Sequence, residues 1–224
     1  MSITVEPLTP AHASDFLAFF DHEQGPAFAD NPEWSMCYCQ FYHTPRSIDW
    51  KARSGVDNRA AMAGRIATGE MEGFLAYAEN ADTKTREVVG WLNAQPRNKL
   101  PHCFSRMRLP STVIEQPDYK TAQLVCFVIH PKWRQRGIAR RLLDAACESF
   151  SRRGIEMVEA YPFKSDDSED PGDHYHGRLP MLLDAGFEVV EVETSMTIVR
   201  KSLLQAPRSE VLAPPGSTVL PTAT

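Results

Sequence analysis

Cys126-Phe127-Val128-Ile129-His130-Pro131-Lys132-Trp133-Arg134-Gln135-Arg136-Gly137-Ile138-Ala139-Arg140-Arg141-Leu142-Leu143 is the stretch whose reading decides the fold. An apolar run ends at a proline turn, and a basic loop marked by one glycine then opens into an amphipathic helix. The first turn of a helix has backbone N–H groups without intrahelical partners and carries the positive end of the helix dipole. Such an end binds phosphate, and Arg134, Arg136 and Arg140 add full charges around it. Gly137 keeps side-chain atoms out of the space a pyrophosphate would need to approach the backbone. Neither Gly-x-Gly-x-x-Gly nor Gly-x-x-x-x-Gly-Lys-Ser/Thr occurs in the chain, so the dinucleotide and P-loop versions of this arrangement are excluded.

Working outward, the helix after the loop places Ala139, Leu142, Leu143, Ala146, Cys147 and Phe150 on one stripe. Gly154 marks its stop, and Ile155 to Tyr161 reads as the next strand, which makes the unit a right-handed parallel crossover. Upstream, Ile3, Val5 and Leu8 read as a short strand, and Phe16, Leu17, Phe19 and Phe20 as the apolar face of a helix. Val56 to Thr68 reads as another helix. Gly73 to Glu79 and Glu87 to Ala94 read as an antiparallel hairpin. Gln95 to Lys120 is a long linker without a clean period; its first half is basic (Arg97, Lys99, Arg106, Arg108), and a solvated surface loop competes there with a functional one. Downstream, Leu179 to Ala185 reads as a helix stopped by Gly186, and Phe187 to Glu193 and Met196 to Lys201 as two final strands. Residues 1–205 are read as one domain and 206–224, proline-rich with few apolar anchors, as a disordered tail.

Composition narrows the class. With 224 residues, 42% of them hydrophobic, the chain can bury a full core. A formal net charge of −5 argues against nonspecific nucleic-acid binding as the main task. The start of the chain lacks a basic region followed by an apolar core, and no run reaches membrane-spanning length. Five cysteines, an odd number, suit a reducing compartment, so the cytoplasm is the expected location.

The segment Arg134-Gln135-Arg136-Gly137-Ile138-Ala139 reads as Arg-x-x-Gly-x-Ala. It resembles the acetyl-CoA signature of the GNAT N-acetyltransferase superfamily. Met181-Leu182-Leu183-Asp184-Ala185-Gly186-Phe187 resembles that family's helix end before its sixth strand, and Val89-Gly90-Trp91 a frequent third-strand pattern. The resemblance covers roughly residues 3 to 202. It implies an α/β (α+β) fold: a mixed, mostly antiparallel sheet of about seven strands, splayed between strands 4 and 5 and flanked by helices. It further implies acetyl-CoA as cosubstrate, with its pantetheine arm on the backbone of Phe127 and Ile129. Its pyrophosphate would lie on Arg134, Gln135, Arg136, Gly137, Ile138, Ala139 and Arg140. An amine then attacks the thioester directly, without a metal. The family's habit of dimerising is the one hint of a homodimer.

The chain departs from the family pattern at two catalytic positions. A fourth-strand Glu that serves many members as base is Val125 here, and a Tyr that protonates the thiolate is Leu182. The nearest replacements are His174, Tyr175 and His176, with Tyr175 as general acid and His174 or His176 as base; exposed imidazoles on a polar loop are the plain alternative. The segment Trp34-Ser35-Met36-Cys37-Tyr38-Cys39-Gln40-Phe41-Tyr42-His43 is dense in sulfur and aromatic groups. Cys37, Cys39 and His43 do not have the usual zinc spacing. Aromatic faces suit a cationic amine or a ring, so Trp34, Cys37, Tyr38 and Tyr42 are read as the acceptor wall, against ordinary core packing. The acidic run at Asp166, Asp167, Glu169 and Asp170 is read as a solvated loop. A small-molecule amine is the expected acceptor. A catalytically silent acyl-CoA-binding module and a protein Lys or N-terminal acetyltransferase remain as alternatives.

Overall fold

A computed structural model describes residues 2–21, 25–80, 82–109, 118–164 and 174–204. The acidic run at 166–170 and the tail at 206–224 lie outside the described residues. Seven strands form one sheet: β1 (Ser2–Pro7), β2 (Phe74–Asn80), β3 (Thr85–Pro96), β4 (Thr121–Ile129), β5 (Met157–Ala160), β6 (Glu188–Val192) and β7 (Thr197–Ser202). Their spatial order is β1-β2-β3-β4-β5-β7-β6, with every neighbouring pair antiparallel except β4 and β5. The helices are α1 (Ala13–Phe20), α2 (Gly55–Ala67), α3 (Cys103–Met107), α4 (Ile138–Arg152) and α5 (Leu179–Asp184). None of the described helices is long and apolar enough to cross a membrane.

The stripe read from sequence is the one α4 buries: Leu142, Leu143, Ala146, Cys147 and Phe150 face the sheet, with Ile138 added at the first turn. They pack on Ala76, Leu92, Ala94, Ala122, Leu124 and Val158 of the strands. Burying a side chain such as Leu142 or Phe150 contributes about 1.5–3 kcal/mol. On the opposite face, α1 and α2 bring Phe16, Phe19, Phe20, Met62 and Ile66 against Leu75, Tyr77, Trp91 and Val128. A third cluster on that same face joins Tyr42, Leu100, Cys103, Val125, Tyr161 and Ile198.

The parallel pairing that joins the two halves of the sheet is short. Thr121 to Leu124 run beside Met157 to Ala160, and β4 then continues to Ile129 paired with β3 but not with β5. The register with β3 slips where pairing parts, since Asn93 faces Cys126 but Ala94 faces Leu124, which leaves Val125 as the extra residue of a bulge. In consequence Leu124 and Phe127 point to the α4 face, and Val125 and Cys126 to the other. The splay therefore has a local cause in the chain.

Below the splay the sheet is pinned by a buried charge cluster. Glu159, fully buried on β5, accepts from Arg97 Nη2 at 2.6 Å, Arg200 Nε at 2.7 Å and the Tyr161 hydroxyl at 2.8 Å. Arg97 is only 4% exposed, and Arg106 donates to the carbonyls of Thr44, Pro45 and Ile48. The basic first half of the 95–120 linker is thus tied into the fold through these two arginines rather than solvated. That segment also contains a helix, α3, which its sequence pattern did not announce. Removing one partner of a buried ion pair leaves an uncompensated charge. Glu159→Ala is expected to lower the unfolding free energy by about 3–5 kcal/mol, measured by urea denaturation; a loss within experimental error would contradict the pinning role.

Candidate active site

The signature loop folds as its composition dictates. His130 Nδ1 accepts from Lys132 N–H at 3.2 Å and turns the chain at Pro131. Gln135 and Gly137 both take left-handed backbone conformations, with φ of 60° and 74°. Gly137 is the N-cap of α4, and a Cβ built there would meet nothing within 4 Å. Open space above a helix N-terminus is the cradle a phosphate requires. Arg134, Gln135, Gly137, Ile138, Ala139 and Arg140 all line it. Arg136 is not among the lining side chains; its guanidinium lies 5.0 Å over the Trp133 ring. Arg134 is held in a two-point pair with Asp30 and donates from Nε to the Ile129 carbonyl at 3.2 Å. Arg140 pairs with Asp144 one turn along α4.

This cradle is one end of a cavity of about 940 Å³ that runs through the splay. Ile129, Ile138 and Met181 line it from the α4 side, while Cys37, Cys39, Tyr42 and Cys126 line it from the other. Access from both faces of a sheet lets two substrates meet across one strand.

The edge of β4 within the splay presents peptide groups. His130 N–H pairs with Val89 C=O, so alternation turns the peptide groups of Phe127 and Ile129 away from β3 and toward the gap. The Phe127 N–H does not stand open there: it donates to the Tyr175 carbonyl at 2.6 Å. The expectation that Phe127 offers its amide directly to a cofactor arm therefore needs that bond to be exchanged first. Gly177 makes the close approach possible, since it has a φ of 85° and a Cβ there would lie 3.1 Å from the Phe127 ring.

The three expected catalytic residues separate. His174 and Tyr175 line the cavity. His176 does not: it is fully buried, with Nε2 2.7 Å from the Tyr42 hydroxyl. Burial lowers its pKa to about 3, so it stays neutral and cannot take a proton from an ammonium at ordinary pH. The reading of His176 as general base is corrected on that ground. Val125 and Leu182 are both fully buried among apolar side chains, and neither position offers a polar group.

The acceptor wall divides in a similar way. Trp34, Cys37 and Tyr42 line the cavity, joined by Phe28, Met36, Phe41 and Trp50, which the sequence reading did not single out. The Trp34 ring meets Tyr175 edge-on at 5.2 Å, and Trp50 meets Phe41 likewise at 5.2 Å. Tyr38 belongs to the core instead: its ring packs with Phe20 and its hydroxyl donates to Asp21 at 3.3 Å. A left-handed backbone at Tyr38 and Cys39 turns it inward. Burial pushes the Cys37 thiol up to about 12, which removes it as a nucleophile. Cys39 accepts from the Trp91 indole at 3.1 Å, and His43 lies beside Gln95, so the residues weighed for zinc are committed to separate contacts.

A GNAT acetyltransferase family model matches residues 33–170. The chain belongs to the GNAT acetyltransferase family. Among solved structures it is similar to the PaiA N-acetyltransferase of Thermoplasma acidophilum in complex with coenzyme A. That match has 13% identity and a TM-score of 0.50, and covers 90% of this chain and 99% of that one. An N-acetyltransferase from Staphylococcus aureus Mu50 matches at 12% identity and TM-score 0.50, over 91% of this chain and 100% of that one. A GCN5-related N-acetyltransferase from Kribbella flavida matches at 13% identity and TM-score 0.50, over 89% and 97%. At these identities the likeness is one of fold. No curated protein sequence matches the chain.

Two measurements follow from this GNAT site. Gly137→Ala would place a Cβ in the phosphate cradle and strain a left-handed residue by about 1–2 kcal/mol. Calorimetry with acetyl-CoA should show affinity lowered about tenfold, equivalent to about 1.4 kcal/mol; unchanged affinity would move the phosphate elsewhere. Second, His43 and His176 are both buried neutral, each with its pKa lowered to about 3, whereas the unfolded chain protonates them near 6.5. Between those values the unfolded state binds more protons, so stability falls as pH drops from about 6.5 toward 3, by roughly 1 kcal/mol per pH unit for each histidine. Urea midpoints from pH 7 to 4 test this, and His43→Gln should flatten the slope.

Proposed function

We propose that this enzyme transfers an acetyl group from acetyl-CoA to the primary amine of a small molecule with an apolar, ring-bearing body. The observation that carries the reading is the aromatic-walled cavity passing through the splay, with a phosphate cradle at one end. Trp34, Phe41, Trp50 and Tyr175 offer ring faces and edges to the acceptor body. Five free cysteines suit a reducing compartment, which supports a cytoplasmic location.

When bound, acetyl-CoA supplies an activated acetyl thioester. The N-terminus of α4, with Arg134 and Arg140, holds its phosphates. The Ile129 N–H and the Phe127 carbonyl face the gap for the arm. The Phe127 N–H, once released from the Tyr175 carbonyl, is a backbone donor at the point where negative charge develops on a carbonyl oxygen. His174, which is half-buried and lines the cavity, accepts the proton of the amine. The Tyr175 hydroxyl gives a proton to the departing thiolate. Positioning an amine beside a thioester supplies much of the remaining rate, which is why apolar residues at positions 125 and 182 are tolerable.

The test is thiol release from acetyl-CoA with 2-phenylethylamine, spermidine, kanamycin and a lysine-containing peptide as acceptors. Fastest release with 2-phenylethylamine is expected. Release only with the peptide would favour a protein acceptor, and tight acetyl-CoA binding without release would favour a silent binding module. Tyr175→Phe should lower kcat by about 10²-fold with acetyl-CoA affinity unchanged; wild-type turnover would remove Tyr175 from the reaction.

A further inference from the structure

Arg134 uses its hydrogen-bonding edges inside the protein. Nε donates to the Ile129 carbonyl at 3.2 Å, Nη2 donates to Asp30 Oδ1 at 3.1 Å, and Nη1 donates to Asp30 Oδ2. A guanidinium grips a carboxylate or a phosphate through two parallel N–H groups, either the two Nη or Nε with one Nη. Asp30 holds the first of these edges, and the Ile129 carbonyl takes half of the second. A pyrophosphate therefore gains a two-point grip on Arg134 only when one of those partners gives way. Asp30 is the one that yields: its side chain is 40% exposed, so water can take over its oxygens.

Asp30 comes from the far side of the cavity, where Ala27, Phe28, Asp30 and Asn31 form part of the lining. That segment is anchored at its start, with the Ala27 N–H on the Phe19 carbonyl at 3.1 Å and the Phe28 ring 5.8 Å from Phe20. The pair between Asp30 and Arg134 ties it to the end of β4, across 104 residues of sequence. Arg140 differs, because its partner Asp144 lies on the same helix and their pair joins no two elements.

We propose that Asp30 is a positioning residue that acts through Arg134. Its carboxylate is an internal stand-in for the cofactor's pyrophosphate, holding the guanidinium at the end of β4 until acetyl-CoA displaces it. Displacement unties residues 26–31 from the signature loop, so filling the phosphate end loosens the opposite wall of the cavity. This rests on the acetyl-CoA reading above.

Two measurements on the whole protein test the exchange, with coenzyme A as the ligand and no turnover. By calorimetry, Asp30→Asn should bind coenzyme A about threefold more tightly than wild type, the range expected for an exposed pair removed from competition. A merely structural role for Asp30 would weaken binding instead. By hydrogen exchange, the turn amides of Ala29 and Asn31, which donate to the Pro26 and Phe28 carbonyls, should exchange about threefold faster in unliganded Asp30→Asn than in unliganded wild type. Wild type saturated with coenzyme A should approach the variant's rate, and Asp144→Asn should keep the wild-type rate. Weaker or unchanged binding by Asp30→Asn, exchange at residues 29 and 31 that coenzyme A does not alter, or equal acceleration by Asp144→Asn would overturn the proposal and leave the cofactor reading standing. Coenzyme A that fails to bind the wild-type protein would overturn the cofactor reading and the proposal with it.

Discussion

The parting of β4 from β5 is the constraint on which the rest of the molecule depends. Four residues on each strand pair, from Thr121 with Met157 to Leu124 with Ala160, and the bulge at Val125 follows at once. A sheet that closed beyond this point would consume the peptide groups of Phe127 and Ile129 and leave no path between its faces. Opening it exposes polar backbone inside a largely apolar interior, which is costly unless something takes those bonds. The Tyr175 carbonyl and the Arg134 guanidinium do so here. The same two residues, Tyr175 and Arg134, also line the cavity.

The two ends of the cavity use electrostatics in opposite ways. At one end the N-terminus of α4 opens on the cavity beside Arg134 and Arg140, each paired with a carboxylate, Asp30 and Asp144, near the surface where salt screens their field. At the Tyr42, Tyr175 and His176 end, burial keeps the imidazole neutral and holds the Tyr42 phenol well above its usual pKa. Below both, the Arg97, Glu159 and Arg200 cluster fixes β5 from the side opposite α4 and keeps the start of the splay in one place.

Much of the fold was legible because it follows from periodicity. The α4 stripe, the hairpin of β2 and β3, and the glycine-marked loop each carry a local signal that packing reinforced. The family echoes at 134–139 and 181–187 supplied the splay, which no local pattern announces. What stayed hidden depends on partners distant in sequence. Arg97 and Glu159 are 62 residues apart, and nothing near Arg97 marks it as buried. Tyr42 and His176 are 134 apart, so the difference between His174 in the cavity and His176 in the core could not be read from a polar loop. Tyr38 misleads because a left-handed turn reverses its direction, which an alternation argument does not anticipate. Phe41 and Trp50 line the cavity, but nothing local in their sequence separates a lining ring from a core ring.

The central claim is that one cavity through the splay seats acetyl-CoA with its phosphates on α4. The most direct measurement is a crystal structure of the protein with coenzyme A. The account predicts the pyrophosphate on the backbone N–H groups of Ile138, Ala139 and Arg140, and the arm along the β4 edge at Phe127 and Ile129, with the bond between Phe127 N–H and the Tyr175 carbonyl exchanged. Coenzyme A bound outside the gap, with that bond intact, would contradict it.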